Sequence, residues 1–470
     1  MPDPVKLEGI DIPHVLDDRG LREWIAAQRW YASKSRSITS IEIVENVALR
    51  HEPLLLLTLV QTRFATGTHE LYQLLLSLQP ATATQAAAPP SDLIATVDGC
   101  SVRDALADPG QVTELLQRIR VSDEIETAEG CFSFHCANAD VEIGDTVSAR
   151  PMGVEQSNSS IVFDDRLVLK VFRKLEPGVN PELEMLRFLT SREFPNIAPL
   201  QGWYEYEGHA LSSTLGVTQT YLPDAVGGWE LALDEIVSAP ERFLDRLGSL
   251  GGVTAELHNT LASEASDPAF TAEEPSQEAL SLLTATVDED IERIFVRLPD
   301  DERVAPIAGR GQDVRERLAA RSQIGVGGRV IRTHGDYHLG QTLCTPERWV
   351  IIDFEGEPAR PLPERRQKRS PLRDVASMLR SFAYVTSAVE ILKGQTPPED
   401  FELRARERFL AQYFGTIDLS LLPPGEAAIS NLLSIYELEK AIYELQYELN
   451  NRPDWVAIPV AGIRRLLETT

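Results

Sequence analysis

Lysine is scarce in this chain: seven of 470 residues (Lys6, Lys34, Lys170, Lys174, Lys368, Lys393 and Lys440), against 38 arginines among the 45 basic side chains. Each lysine position therefore carries information. Excess positive charge is missing as well. The net charge of -27 excludes a surface that tracks nucleic-acid phosphates, which needs clustered Lys and Arg, and leaves an acidic surface suited to solubility. The four cysteines (Cys100, Cys131, Cys136, Cys344) have no C-x-x-C spacing, so neither a zinc site nor a disulfide framework is expected, only reduced thiols. No run of about 18 apolar residues occurs, and the opening Met-Pro-Asp-Pro-Val-Lys has neither the basic nor the apolar stretch of a secretion signal. A cytoplasmic protein without a membrane partner is the expectation.

What the chain does contain is the run Thr333-His-Gly-Asp-Tyr-His-Leu-Gly-Gln341, followed by Val350-Ile-Ile-Asp-Phe-Glu355. Asp336 stands where a catalytic loop presents a carboxylate to a substrate hydroxyl. Gln341, five residues on, offers an amide oxygen, and Asp353, after a short apolar strand, offers a second carboxylate. Two oxygen ligands for one Mg2+ ion and one general base form a phosphoryl-transfer constellation. The spacing resembles the catalytic loop and metal-binding Asp-Phe-Gly of kinases. Its His-Gly-Asp opening resembles the small-molecule branch of that superfamily, the aminoglycoside and choline kinases, with Gln341 in place of the usual Asn and Glu355 in place of the Gly.

The length allows about three domains or subdomains. A helical stretch Leu21–Trp30 precedes strand-like runs at 41–49, 53–61 and 70–78, which together suggest a small antiparallel sheet carrying one helix. The low-complexity spacer 80–90 marks a boundary. Beyond it, 102–119 reads as a helix, 131–172 as several short strands and 180–190 as a helix opened by Pro181. From about 223 long amphipathic helices dominate, including 240–261, 276–297 and 403–414. The expected class is α+β, a bilobal protein-kinase-like fold. It comprises an N-terminal cap subdomain (1–90), a mixed strand-rich intermediate lobe (91–222) and a helical C-lobe (223–470), with the nucleotide in the cleft between lobes.

On the nucleotide side, Lys170 ends the strand Arg166-Leu-Val-Leu-Lys-Val-Phe172 and is the candidate phosphate-contacting lysine. Glu184 is its first candidate partner and Glu182 the second. Ser157 and Ser159, in the stretch 153–160, occupy the place of a phosphate-covering loop, although that stretch is neither a GxGxxG nor a Walker A sequence. Gln219 and Tyr221 belong to the hinge segment 218–222 expected to receive the adenine of ATP.

On the acceptor side, Lys440, Tyr443, Glu444 and Tyr447 follow at helical spacing and share one face, with Trp455 shortly after. Charged hydrogen-bonding groups beside aromatic rings suit a pyranose, whose rim carries hydroxyls and whose face carries C–H groups. Arg360, Arg365, Arg366, Lys368, Arg369 and Arg373 make a basic island in an acidic chain.

Several stretches together resemble the maltokinases: 29–36, 168–181, 334–341, 352–361, 369–376 and 447–455 (Tyr-Glu-Leu-Asn-Asn-Arg-Pro-Asp-Trp). The resemblance implies ATP-dependent, Mg2+-dependent phosphorylation of maltose at its anomeric hydroxyl, giving maltose 1-phosphate for α-glucan synthesis, and a functional link to a trehalose-isomerising enzyme. His338, Glu355 and Arg373 join Lys440, Tyr443, Glu444, Tyr447 and Trp455 as the expected substrate-side residues. Two other readings are an amino-sugar kinase, with Glu355, Glu357 and Glu444 facing an ammonium group, and a nucleotide-binding scaffold. Retention of Asp336, Gln341, Asp353 and Lys170 argues against the scaffold.

Overall fold

The computed structural model describes the chain apart from residues 1–5, 8–9, 12–17, 32, 81–91, 98, 139–146, 154–157, 210, 265, 323–326, 359 and 469–470. The structure is of the expected α+β class and divides into two compact units, 1–187 with 198–223 and 188–197 with 224–470.

The first unit holds two antiparallel sheets. Three long strands, Ile38–His51, Leu54–Phe64 and His69–Pro80, form a meander, because Leu and Val fill the buried positions and Thr-Gly and Glu-Pro turns separate the runs. Helix Asp18–Ala27 buries Leu21, Trp24 and Ile25 in the same core as Trp30, Tyr31, Tyr72 and Leu74. The expected spacer lies largely outside the described residues. The sheet nevertheless resumes after it, since Cys100–Asp104 pairs with His69–Pro80 and Leu93–Val97 completes the edge. It therefore runs past residue 90 to Asp104.

That pairing also corrects the helix expected over 102–119. The helix begins only at Pro109, where the Asp108 side chain caps the Gly110 N–H at 3.1 Å and proline takes the first turn. It packs Ile119 against Gly202, where an added Cβ would fall 2.4 Å from the Ile119 side chain.

The second sheet has seven strands, in the order 149–151, 158–163, 167–172, 212–220, 200–208, 130–136 and 124–126. Buried polar groups tie the two sheets together. Gln73 Nε2 donates to Phe172 O at 2.7 Å, Tyr204 Oη donates to Gln73 Oε1 at 3.1 Å, and the buried Arg173 pairs with Asp104 at 2.6 Å. Lys174–Leu175 even adds a short strand to the cap sheet.

The second unit is mostly helical. Helix Pro240–Leu261 lies so close to Phe401–Thr416 that a Cβ on Gly251 would sit 2.2 Å from Phe409 O. Helix Glu426–Asn451 shares a core with Gln277–Phe295, Gly311–Arg321 and Ala457–Glu468. Helix Leu372–Lys393 has the length and hydropathy to cross a bilayer, but 67% of its most apolar window is buried inside the protein, and Asp374 and Arg380 are buried along it. It is a core helix. A small sheet of Val226–Gly227, Thr342–Cys344 and Trp349–Ile351 has its middle strand directly after the 333–341 segment.

Candidate active site

The candidate catalytic loop, 333–341, is held from beneath by one carboxylate. Asp374, fully buried, accepts the backbone N–H groups of His334 (2.7 Å) and Gly335 (3.0 Å) and also faces His258 Nε2 at 3.3 Å. Burial opposes its charge, but these donors outweigh it and hold its pKa below the usual range. His334 Nε2 donates to Ile352 O at 2.9 Å, which clamps the loop to the end of the strand before Asp353. Gly335 has φ +86°, a conformation that a side chain would strain.

Asp353 itself has φ +63° without being glycine. Backbone strain of this kind is retained where the surroundings fix it, and it concentrates at functional positions. Gln341 Nε2 donates to Asp353 Oδ2 at 2.9 Å, so the two side chains expected to be metal ligands are adjacent. An amide oxygen and a carboxylate are the hard donors that Mg2+ prefers. With a cation present the Gln341 amide must turn to offer its oxygen, because its N–H groups cannot ligate a metal.

Asp336 is met by a lysine. Lys440 Nζ lies 3.3 Å from Asp336 Oδ1 and 3.3 Å from Glu357 Oε1. Burial alone would raise the Asp336 pKa; the Lys440 ammonium, with His338 3.6 Å away, holds it well below the usual carboxylate range. Glu357 follows the same pattern, its burial outweighed by Lys440 and Arg373, and its pKa falls to about 2. Lys440 is raised in turn, burial being outweighed by the two carboxylates. Arg373 is 3.4 Å from Glu357 and from Gly335 O, and 3.6 Å from Glu439. His338 caps the short helix Leu339–Gln341 through Nδ1, and the Glu355 carbonyl accepts from Arg365 at 3.3 Å.

The helical face expected to meet the acceptor divides. Lys440 and the exposed Tyr443 line a cavity of about 970 Å³ that is also bordered by Glu357, Arg373, Tyr436 and Gln446. The Lys440 ammonium lies 5.1 Å from the Tyr443 ring centre. Glu444 does not join them: it is buried and receives Arg380 at 2.7 Å and 3.0 Å. Tyr447 is exposed with Arg452 over its ring, and Trp455 stacks on Tyr384 at 6.5 Å with Arg452 on it. These two rings pack on protein groups. Sequence reasoning placed Glu357 on the substrate side only in the amino-sugar reading, although it stands just four residues beyond Asp353.

On the nucleotide side, the Lys170 ammonium pairs at 2.8 Å with Glu182, the second of its two candidate partners. Two residues along a helix are about 200° apart, so the two glutamates point to different sides of it. Glu182, capped through its N–H by Asn180 at 2.8 Å, is the buried one. Ser159 accepts from Arg173 Nε at 2.8 Å, and Ser157 lies outside the described residues. Gln219 is inside the sheet, opposite Val168 on one side and Leu200 on the other, with its amide donating to Ala198 O at 3.1 Å. Tyr221 follows the strand, its N–H bonded to Arg166 O at 2.7 Å and its hydroxyl accepting from Arg150 at 3.0 Å.

Residues 146–383, more than half of the chain, match the phosphotransferase enzyme family. The chain belongs to that family. Residues 24–108 of this phosphotransferase match the maltokinase N-terminal cap domain, which covers the sheet on both sides of the spacer. Among curated relatives, a glucosamine kinase of Mycolicibacterium smegmatis is 28% identical over 68% of this chain and 79% of its own length. A glucosamine kinase of Streptacidiphilus jiangxiensis is 26% identical over 67% and 72%. The fold resembles solved glucosamine kinases, one in complex with glucosamine, ADP and inorganic phosphate (TM-score 0.67, 20% identity) and another crystal form (TM-score 0.70, 19% identity). Each comparison covers 95% of this phosphotransferase and 99% of the solved chain.

Proposed function

We propose that this phosphotransferase transfers the γ-phosphoryl group of ATP to the anomeric hydroxyl of maltose, forming maltose 1-phosphate. The observation that carries the neutral acceptor is the lysine between the two carboxylates. Asp336 and Glu357 would suit the ammonium of an amino sugar, but Lys440 already pairs with both and Arg360 and Arg373 pair with Glu357 as well, so three cations face the two carboxylates. A further cation brought there would be repelled. A neutral sugar instead finds donors and acceptors side by side, an aromatic face at Tyr443 and a cavity large enough for two pyranose rings.

In this mechanism Asp336 orients the acceptor hydroxyl and takes its proton as the oxygen–phosphorus bond forms and the bond to the leaving ADP breaks. Its depressed pKa makes it a weak base in the resting protein, which suits a loose transition state where the proton leaves late. Asp374 holds the loop, and Lys170, set by Glu182, contributes positive charge toward the phosphates. Gln341 and Asp353 would hold Mg2+, which when bound neutralises charge on the transferred phosphoryl group. A cytoplasmic setting, a role in α-glucan synthesis and a link to a trehalose-isomerising enzyme complete the proposal, and rest on the maltokinase resemblance.

The competing reading is a glucosamine kinase, favoured by the names of the relatives. An ATP-dependent assay against maltose, glucose, glucosamine and trehalose, with phosphorus NMR of the product, separates the two. Maltose should be the best substrate, with phosphate on C1, and trehalose should fail because both anomeric oxygens are in its glycosidic bond. A preference for glucosamine would overturn the proposal.

A further inference from the structure

The cavity beside Lys440 carries a charge that a neutral sugar does not require. In a chain of net charge -27, its lining has eight cationic side chains against five acidic ones. Most of these cations are paired: Arg360 and Arg373 with Glu357 and Glu439, Lys368 with Glu273, Arg293 with Asp290. Arg369 is different. Its guanidinium donates to Gln367 Oε1 at 2.7 Å and has no ion-pair partner among the described residues. Burial, then the neighbouring Arg373, pushes its pKa down against the opposing pull of Glu439.

The Arg369 main chain is meanwhile fixed, exchanging hydrogen bonds with Ile331 at 2.8 and 2.9 Å, just ahead of the catalytic loop. A guanidinium with no ion pair among the described residues, on a fixed backbone and lining a cavity, is a preorganised anion receptor. Tyr436, Tyr443 and Gln446 on the same wall supply ring faces and an amide suited to a sugar.

We propose that this cavity binds a phosphorylated sugar, with its phosphate on Arg369 and its ring against the tyrosine wall, and that this ligand inhibits the enzyme competitively with the acceptor. Competition follows because Lys440, which holds Asp336, lines the same cavity. The inference holds for either a neutral or an amino-sugar acceptor.

The test is a calorimetric titration of the full chain, without nucleotide, against glucose 1-phosphate, glucose 6-phosphate, inorganic phosphate and glucose, repeated with Arg369→Gln. A sugar phosphate should bind with salt-sensitive affinity, and Arg369→Gln should weaken it about tenfold or more, the scale of one lost charge-assisted pair. Inhibition kinetics on the unaltered enzyme provide a second measurement that needs no variant, and the sugar phosphate should raise KM for the acceptor and leave kcat unchanged. No binding at millimolar concentration, equal affinity in Arg369→Gln, or inhibition not relieved by acceptor would overturn the site. Inorganic phosphate binding as tightly as the esters would overturn its sugar half.

Discussion

Lys440 and Glu444 stand one turn apart on the same helix, and the protein uses them in opposite ways. Lys440 sits beside a cavity between two carboxylates, where its charge depresses the pKa of Asp336. Glu444 is turned into the core against Arg380, and burial raises its own pKa despite that partner. An added Cβ at Gly462 would fall 2.1 Å from Arg380 Nη1, so the packing around this guanidinium is already close. The first pair sets the charge state of Asp336, the proposed general base; the second joins helix Leu372–Lys393 to helix Glu426–Asn451.

The comparison breaks most visibly at the reacting group. Asp336→Asn should lower turnover by about two to four powers of ten, the scale of lost general-base assistance, while nucleotide affinity measured by titration stays nearly unchanged. Near-normal turnover would remove Asp336 from the mechanism. On the structural side, Glu444→Ala leaves Arg380 buried and unpaired, which costs about 3–5 kcal/mol. A urea unfolding midpoint little changed from the parent would show that the pair does not hold the helices.

The contrast also explains what the sequence revealed. The adjacency of Gln341 and Asp353 was legible because it is local: a one-turn helix and a two-strand hairpin bring together residues at fixed spacing. The starts of helices at Pro181 and Pro240 were legible for the same reason. Periodicity placed Glu444 on the Lys440 face, but a helical face spans both cavity and core, and the choice depends on Arg380, 64 residues away in sequence. Glu182 and Glu184 posed the same problem at closer range. The cap sheet crossing its spacer was hidden because strand pairing joins distant segments, and no local signal announces it.

Lys440→Met sharpens the functional half. Removing the cation opens Asp336 and Glu357 to an ammonium, so the ratio of kcat/KM for glucosamine to that for maltose should rise about tenfold, roughly one unlike-charge contact at intermediate dielectric. A parallel fall for both sugars would leave Lys440 with a structural role only.

The smallest expected effect is a pH dependence of stability in the same variant. The Glu357 pKa falls from the ordinary 4.5 to about 2 on folding, with Asp336 also depressed. Their ion pairing with Lys440 therefore contributes fully above pH 4.5, and the contribution is lost as pH falls toward 2. On the alkaline side Lys440, raised above its ordinary 10.5, begins to lose its contribution only as pH climbs past that value. In Lys440→Met, Asp336 loses the cation that lowers it most and Glu357 keeps only Arg373 and Arg360, so acid breaks a smaller attraction. The gap in urea midpoint between parent and variant should be widest near neutrality and shrink below pH 4.5. A gap that stays constant across that range would mean that the Lys440 side chain stabilises the fold by packing, and that its charge does not act on Asp336.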